Sequence, residues 1–233
     1  MKLIKIFIVL LFFAAMILGN SYAVTIDRTE IVGSFTVTVL NNDDPIREID
    51  GVAVIPFDTE YELLLKNNND RRAVAKVTID GANISAFGDI VIPARGKVNL
   101  ERFITDSLDK GDRFRFVPLD HPEVDDPSRE ENGLIRVEFQ LEKKRQFIQW
   151  GDGSRLYLPY PDWEDDGNWM FLDTRVPCSD DVSIWLTNTA ASATAEPGAT
   201  IGGSESDQRF SKINIDLEDE VWIIKIILKG VKQ

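Results

Sequence analysis

Trp150, Tyr157, Tyr160, Trp163, Trp169 and Phe171 crowd one short stretch of the chain, interleaved with Asp152, Asp162, Asp165, Asp166 and Asn168. Indole and phenol faces stack on sugar rings, while carboxylates and amides bond the hydroxyls, so this mixture suits carbohydrate recognition. Aromatics with a polar handle are equally favoured at protein interfaces. The competing explanation is a long loop that builds its own small core from Trp and Tyr. Trp150, Tyr157, Tyr160, Trp163 and Trp169 are therefore the candidate ligand-binding residues. Asp162, Asp165, Asp166 and Gly167 faintly echo a calcium loop without completing it, which makes the three aspartates candidate calcium ligands. A second acidic run, Asp120, Glu123, Asp125, Asp126, Glu130 and Glu131, lies in another loop. Solvated loop charge is the commoner use of both runs.

Catalysis finds less material. His121 is the only imidazole, so any Ser-His-Asp triad must use it, and it sits in an acidic loop beside Pro122. Gly203-Ser204-Glu205-Ser206 lacks the closing glycine of a nucleophile elbow. Cys178, the only cysteine, has no local pattern pairing it with His121 and no partner for an intramolecular disulfide; burial is the usual fate of such a thiol. Paired carboxylates of the glycosidase kind stay open, because their separation is spatial and acidic residues are plentiful.

The surroundings of these residues are set first by export. Met1-Lys2-Leu3-Ile4-Lys5, an apolar run from Ile6 to Leu18, and small residues at Ser21 and Ala23 read as a secretory signal peptide cut after Ala23. The apolar run is short of the roughly 20 residues a membrane span needs. Val24–Gln233 is then expected as a single secreted or periplasmic domain. Without Lys2 and Lys5, 24 basic residues face 39 acidic ones, a net charge near −15. That sign disfavours nucleic acid and favours cations or basic partners.

Alternation dominates the rest. Phe35-Val37-Val39, Tyr61-Leu63-Leu65, Ala75-Val77-Ile79, Val98-Leu100, Phe114-Phe116, Ile135-Val137-Phe139-Leu141 and Val182-Ile184-Leu186 each place apolar side chains at every second position. Successive side chains of a strand point to opposite faces, so each set predicts a half-buried strand. Asn67-Asn68-Asn69-Asp70, Asp80-Gly81, Pro93-Ala94-Arg95-Gly96 and Asp109-Lys110-Gly111-Asp112 supply turns. Only 101–108 suggests a short helix. The segment 220–229 is apolar on both faces apart from Lys225, which predicts a central strand covered above and below. The stretch 118–133 and the aromatic–acidic insertion at about 146–181 interrupt the rhythm as long loops, and 187–205, rich in Ala, Thr, Ser and Gly, reads as a flexible connection. Asn83-Ile84-Ser85 is a glycosylation sequon after the Asp80-Gly81 turn.

Two blocks carry a resemblance. The first runs from Tyr61 to Asn68, through Arg71-Arg72 to Asp80-Gly81, and on to Ile92-Pro93; the second runs from Ala199 to Phe210, with Ile226-Ile227-Leu228-Lys229-Gly230 closing the chain. Together they resemble an uncharacterised group of β-rich proteins of large DNA viruses, phages and bacteria. The resemblance implies a β-sandwich-like fold and no chemistry, and this chain departs from the group in its leader and its aromatic–acidic insertion.

Together these features predict an all-β protein: an antiparallel, jelly-roll-like β-sandwich with long loops behind a cleaved leader. The expected role is a secreted, non-catalytic module that binds carbohydrate or a protein surface. A structural subunit of an extracellular or virion-like particle, assembled as a homo-oligomer, is the alternative, and a carboxylate-based glycoside hydrolase a third.

Overall fold

A computed structural model describes residues 30–32, 34–144, 147–149, 155–157, 170–173 and 195–232. The leader, the predicted strand at Val182–Leu186, and Cys178 lie outside these residues. Every regular element among them is a strand. The first nine are β1 (Glu30–Val32), β2 (Phe35–Asn41), β3 (Asp44–Pro45), β4 (Glu48–Ile49), β5 (Val52–Pro56), β6 (Thr59–Asn67), β7 (Ala73–Ile79), β8 (Ala82–Asn83) and β9 (Asp89–Ile92). Then come β10 (Lys97–Leu100), β11 (Gly111–Pro118), β12 (Leu134–Glu142), β13 (Phe147–Gln149), β14 (Arg155–Tyr157), β15 (Met170–Asp173), β16 (Glu196–Ser206), β17 (Phe210–Ile213) and β18 (Leu217–Val231).

Sixteen of them join one sheet, in the order β1-β2-β6-β11-β16-β18-β12-β7-β9-β15-β17, with β3 on β2, β10 on β6, β5 on β18, β4 on β5 and β8 on β7; β13 and β14 pair separately. The pairings are antiparallel apart from β15 with β9 and β18 with β5. The long strands β6 and β18 change partners midway. β6 meets β11 near Tyr61 and β10 from Leu63 to Lys66, while β18 passes from β12 to β5 at Ile227.

The alternating positions behave as their spacing requires. Phe35, Val37, Val39, Leu63, Leu65, Val77, Phe114, Phe116, Val137 and Phe139 are all 0–2% exposed and belong to one core. Phe35 of β2 stacks on Phe139 of β12, with ring centroids 4.5 Å apart. Those strands are distant along the sheet order, so the sheet bends back over its own apolar face. Each fully buried large apolar side chain contributes about 1.5–3 kcal/mol, and the aromatic contacts Phe57–Phe116 and Phe103–Phe114 extend the same layer.

Four expectations are corrected. Residues 101–108 form no helix: the buried Arg102 side chain donates to the carbonyls of Phe103, Ser107 and Leu108, which draws this backbone into a collar around the guanidinium. Asn67–Asp70 makes no hairpin but carries the chain from β6 to β7, which pair with different neighbours. Most of the expected flexible connection's end, Glu196–Ser206, is β16, paired with β11 and touching β18. Its small residues permit close approach; a Cβ at Gly198 would sit 2.5 Å from the Val117 carbonyl oxygen. Finally, β18 buries Ile224, Ile226 and Leu228 on one face, but Val221, Ile223 and Ile227 on the other are 42%, 40% and 44% exposed.

The blocks that carried the resemblance prove to be structural. Asn67 is fully buried; its Nδ2 donates to the carbonyls of Arg71 and Pro93, and its Oδ1 accepts from the main chain and amide of Asn69. Arg72 forms a two-pronged pair with Glu142, and Arg71 one with Glu218, tying the start of β7 to the end of β12 and the start of β18. In the second block Gln208, also fully buried, accepts from the Glu101 N–H and donates to the Asn99 carbonyl.

Candidate binding cleft

Asp80 and Gly81 both take positive φ, 52° and 78°, and form a two-residue turn between β7 and β8. Asp-Gly suits that turn, because its central residues must visit the left-handed region. The turn aims the Asp80 side chain inward, where the residue is only 7% exposed. One carboxylate oxygen accepts the Gly133 N–H at 2.6 Å and the other the Thr200 N–H at 2.5 Å. The Asp80 main chain donates to the Leu134 carbonyl, and its own carbonyl accepts from Arg129 at 3.1 Å. One residue thus joins the β7–β8 turn, the end of the acidic loop 118–133, and β16. Burial pushes the Asp80 carboxyl up to about 6, against the opposing pull of the two N–H groups and Arg129.

The acidic loop is organised by its own polar groups. Successive turns close from Val124 N–H to His121 O, from Arg129 to Asp126 and from Leu134 to Glu131. Asp126 accepts from the Ser128 hydroxyl and N–H, which hold its carboxyl below the ordinary value. His121 Nδ1 accepts from the Glu123 N–H, so the lone imidazole is engaged in shaping the loop.

Between loop, turn and β16 lies a cleft of about 300 Å³. Ile79, Phe103, Val124 and Ile201 give it apolar walls, and Asp80, Asp125, Asp126, Arg129 and Asn132 supply polar groups. Behind it, the Tyr61 hydroxyl bonds Thr200 Oγ1 at 2.9 Å, and burial raises that phenol well above its usual value. Apolar walls with a few convergent polar groups are the ordinary make-up of a small-ligand site.

A second polar cluster sits on β6, β10 and β11. Arg113 lies 3.1 Å from Glu101 and 3.5 Å from Glu62. Burial raises the Glu62 carboxyl, opposed by the Asn99 amide that donates to it. Ser206 Oγ donates to Glu101 at 2.5 Å. Two carboxylates converge here, but on a shared guanidinium, and that cation occupies the space a substrate of a carboxylate pair would need.

Of the residues singled out by sequence, Trp150, Tyr160, Trp163, Trp169, Asp162, Asp165 and Asp166 lie outside the described residues. Tyr157 ends β14, opposite Phe147. Among the described residues no group of three His, Cys, Asp or Glu side chains is placed to hold a metal ion, and no helix is long and apolar enough to cross a membrane. Asn83 of the sequon is exposed. The part of Asp80 in the cleft went unread: Asp80-Gly81 registered only as a turn, and Gly133 and Thr200 carried no signal. Comparison with known protein families, with curated proteins and with solved structures gave no match.

Proposed function

We propose that the chain is an exported, non-catalytic binding module with a jelly-roll-like sandwich fold, and that the cleft beside Asp80 holds a carbohydrate. The observation that carries this reading is the cleft's lining. Phe103 and its apolar neighbours match the C–H face of a sugar ring, while Asp125, Asp126, Arg129 and Asn132 offer acceptors and donors for hydroxyls. The stacking of Phe35 on Phe139 supports the two-layer arrangement, and the basic, apolar leader supports export. A glycan array followed by calorimetry tests the binding. Asp125→Ala and Arg129→Ala are expected to weaken it at least tenfold without lowering Tm. An array with no response overturns the reading. A response lost in Trp163→Ala and Trp169→Ala but kept in the cleft variants moves the sugar to the aromatic segment. Calcium titration of wild type, Asp165→Asn and Asp166→Asn tests the proposed metal ligands.

One observation favours an assembly subunit instead. Val221, Ile223 and Ile227, with Ile49 at 39% exposure, leave a row of large apolar side chains on an outer sheet face, interrupted by Lys225. Such rows mark contact surfaces, and a charge within them restrains indiscriminate pairing. Sedimentation of wild type against Ile223→Lys decides: a self-associated species lost in the variant supports assembly, and a monomer at every concentration removes it.

A further inference from the structure

The acidic loop is fixed to the sheet at its carboxy-terminal end by one side chain. Gly133, the last loop residue, and Thr200 of β16 both donate main-chain N–H groups to the Asp80 carboxylate. No covalent link or large apolar anchor duplicates this connection at Gly133, whose neighbours are the carbonyls of Leu228 and Gly198. Whatever changes the charge on Asp80 therefore changes how firmly this end of the loop is held beside the cleft.

We propose that Asp80 is a protonation-controlled latch: neutral, it holds the loop against β16, and ionised, it loosens the loop and widens access to the cleft. The importance of access rests on the reading of the cleft as a ligand site; the latch itself does not. The charges around Asp80 set the direction. From the loop come one cation, Arg129, and the carboxylates of Glu123, Asp125 and Asp126, which line the same cleft; Glu131 packs its side chain over Gly81. From β6 comes the Tyr61 hydroxyl, held by Thr200. An ionised Asp80 thus sits out of water, among more carboxylates than cations. Opening returns the carboxylate to water and to its ordinary affinity for protons.

The closed state binds the proton more tightly than the open state, with a pKa near 6 rather than 3.8. Acidification therefore favours closure, and alkalinisation through pH 6 favours opening. By linkage the closed-to-open ratio rises about tenfold between pH 8 and pH 5. Amide hydrogen exchange of the intact protein, read residue by residue by NMR and corrected for intrinsic rates, measures it. Protection at Gly133 and Thr200 should rise about tenfold over that range with a midpoint near 6, in step with the Asp80 carboxyl carbon shift, while Val137 in the core stays flat. Asp80→Asn should abolish the pH dependence at both amides. Protection in wild type that is flat, or that falls on acidification, overturns the latch whether or not the variant folds. A negative glycan array leaves this measurement untouched, so the two readings fail separately.

Discussion

Replacing Asn67 with Ala tests whether the turn that sends the chain from β6 to β7 is held by a single amide. Asn67 is fully buried and makes four hydrogen bonds: to the carbonyls of Arg71 (2.7 Å) and Pro93 (3.1 Å), and from the N–H and side-chain amide of Asn69 (3.0 Å each). They are not equivalent on truncation. The Asn69 amide is on a partly exposed side chain and can turn to water, and the Pro93 carbonyl keeps the Gly96 N–H at 3.1 Å. The Arg71 carbonyl and the Asn69 N–H lose the partner that Asn67 supplies. At 1–3 kcal/mol per unsatisfied buried group, the expected loss is about 3 kcal/mol, a large share of a typical domain's stability. Urea denaturation at pH 7 measures it, with an unchanged m-value showing that the unfolded state is the same. Asn67→Asp keeps the acceptor but turns a carboxylate toward two carbonyl oxygens, so it should lose at least as much. A loss below about 1 kcal/mol in the Ala variant would refute the assignment of Asn67 as organiser of this crossing.

Three further outcomes follow from the structure. Gly230→Ala places a Cβ 2.0 Å from the Phe57 ring and should cost about 1–3 kcal/mol or more; Phe57→Leu in the same chain should recover part of it, and strict additivity in the double-mutant cycle would exclude the contact. Arg102→Met removes donors from the carbonyls of Phe103, Ser107, Leu108 and Gln208, which should cost about 3–5 kcal/mol and lower Tm by about 10 °C; a fall of only a degree or two would show that water replaces the guanidinium. Asp80 binds its proton more tightly folded than unfolded, so its contribution is present in acid and lost as pH rises through about 6. Wild type should therefore gain about 2 kcal/mol over Asp80→Asn between pH 7.5 and 4.5, and a gap between the two that stays constant across that range would refute the shift.

Strand faces were legible because period-two alternation is a local property: Phe35-Val37-Val39 and Ile135-Val137-Phe139 bury as spaced. Strand partners were not. The residues of Asn67–Asp70 report a change of direction, and nothing in them says whether the next strand returns beside β6 or crosses to β12. Compositional reading failed at Glu196–Ser206, where small residues that resemble a linker are needed because β11 passes so close to Gly198. Arg102 was invisible for a related reason: its bonds run to backbone carbonyls, which no residue type announces. The cleft was half legible. The long acidic loop declared itself, but the Asp80 contacts join residues 53 and 120 positions apart in the chain.

β18 hydrogen-bonds to β5, β12 and β16, yet it is synthesised after all three. Until Leu217–Val231 emerges, those earlier segments have no shared neighbour to knit them, and their backbone edges stay open to chaperones or to one another. Long-range pairing of this sort slows acquisition of the native state. For a polypeptide that must thread through a translocation pore while still extended, such a delay is an advantage, since the piece that locks the architecture arrives last.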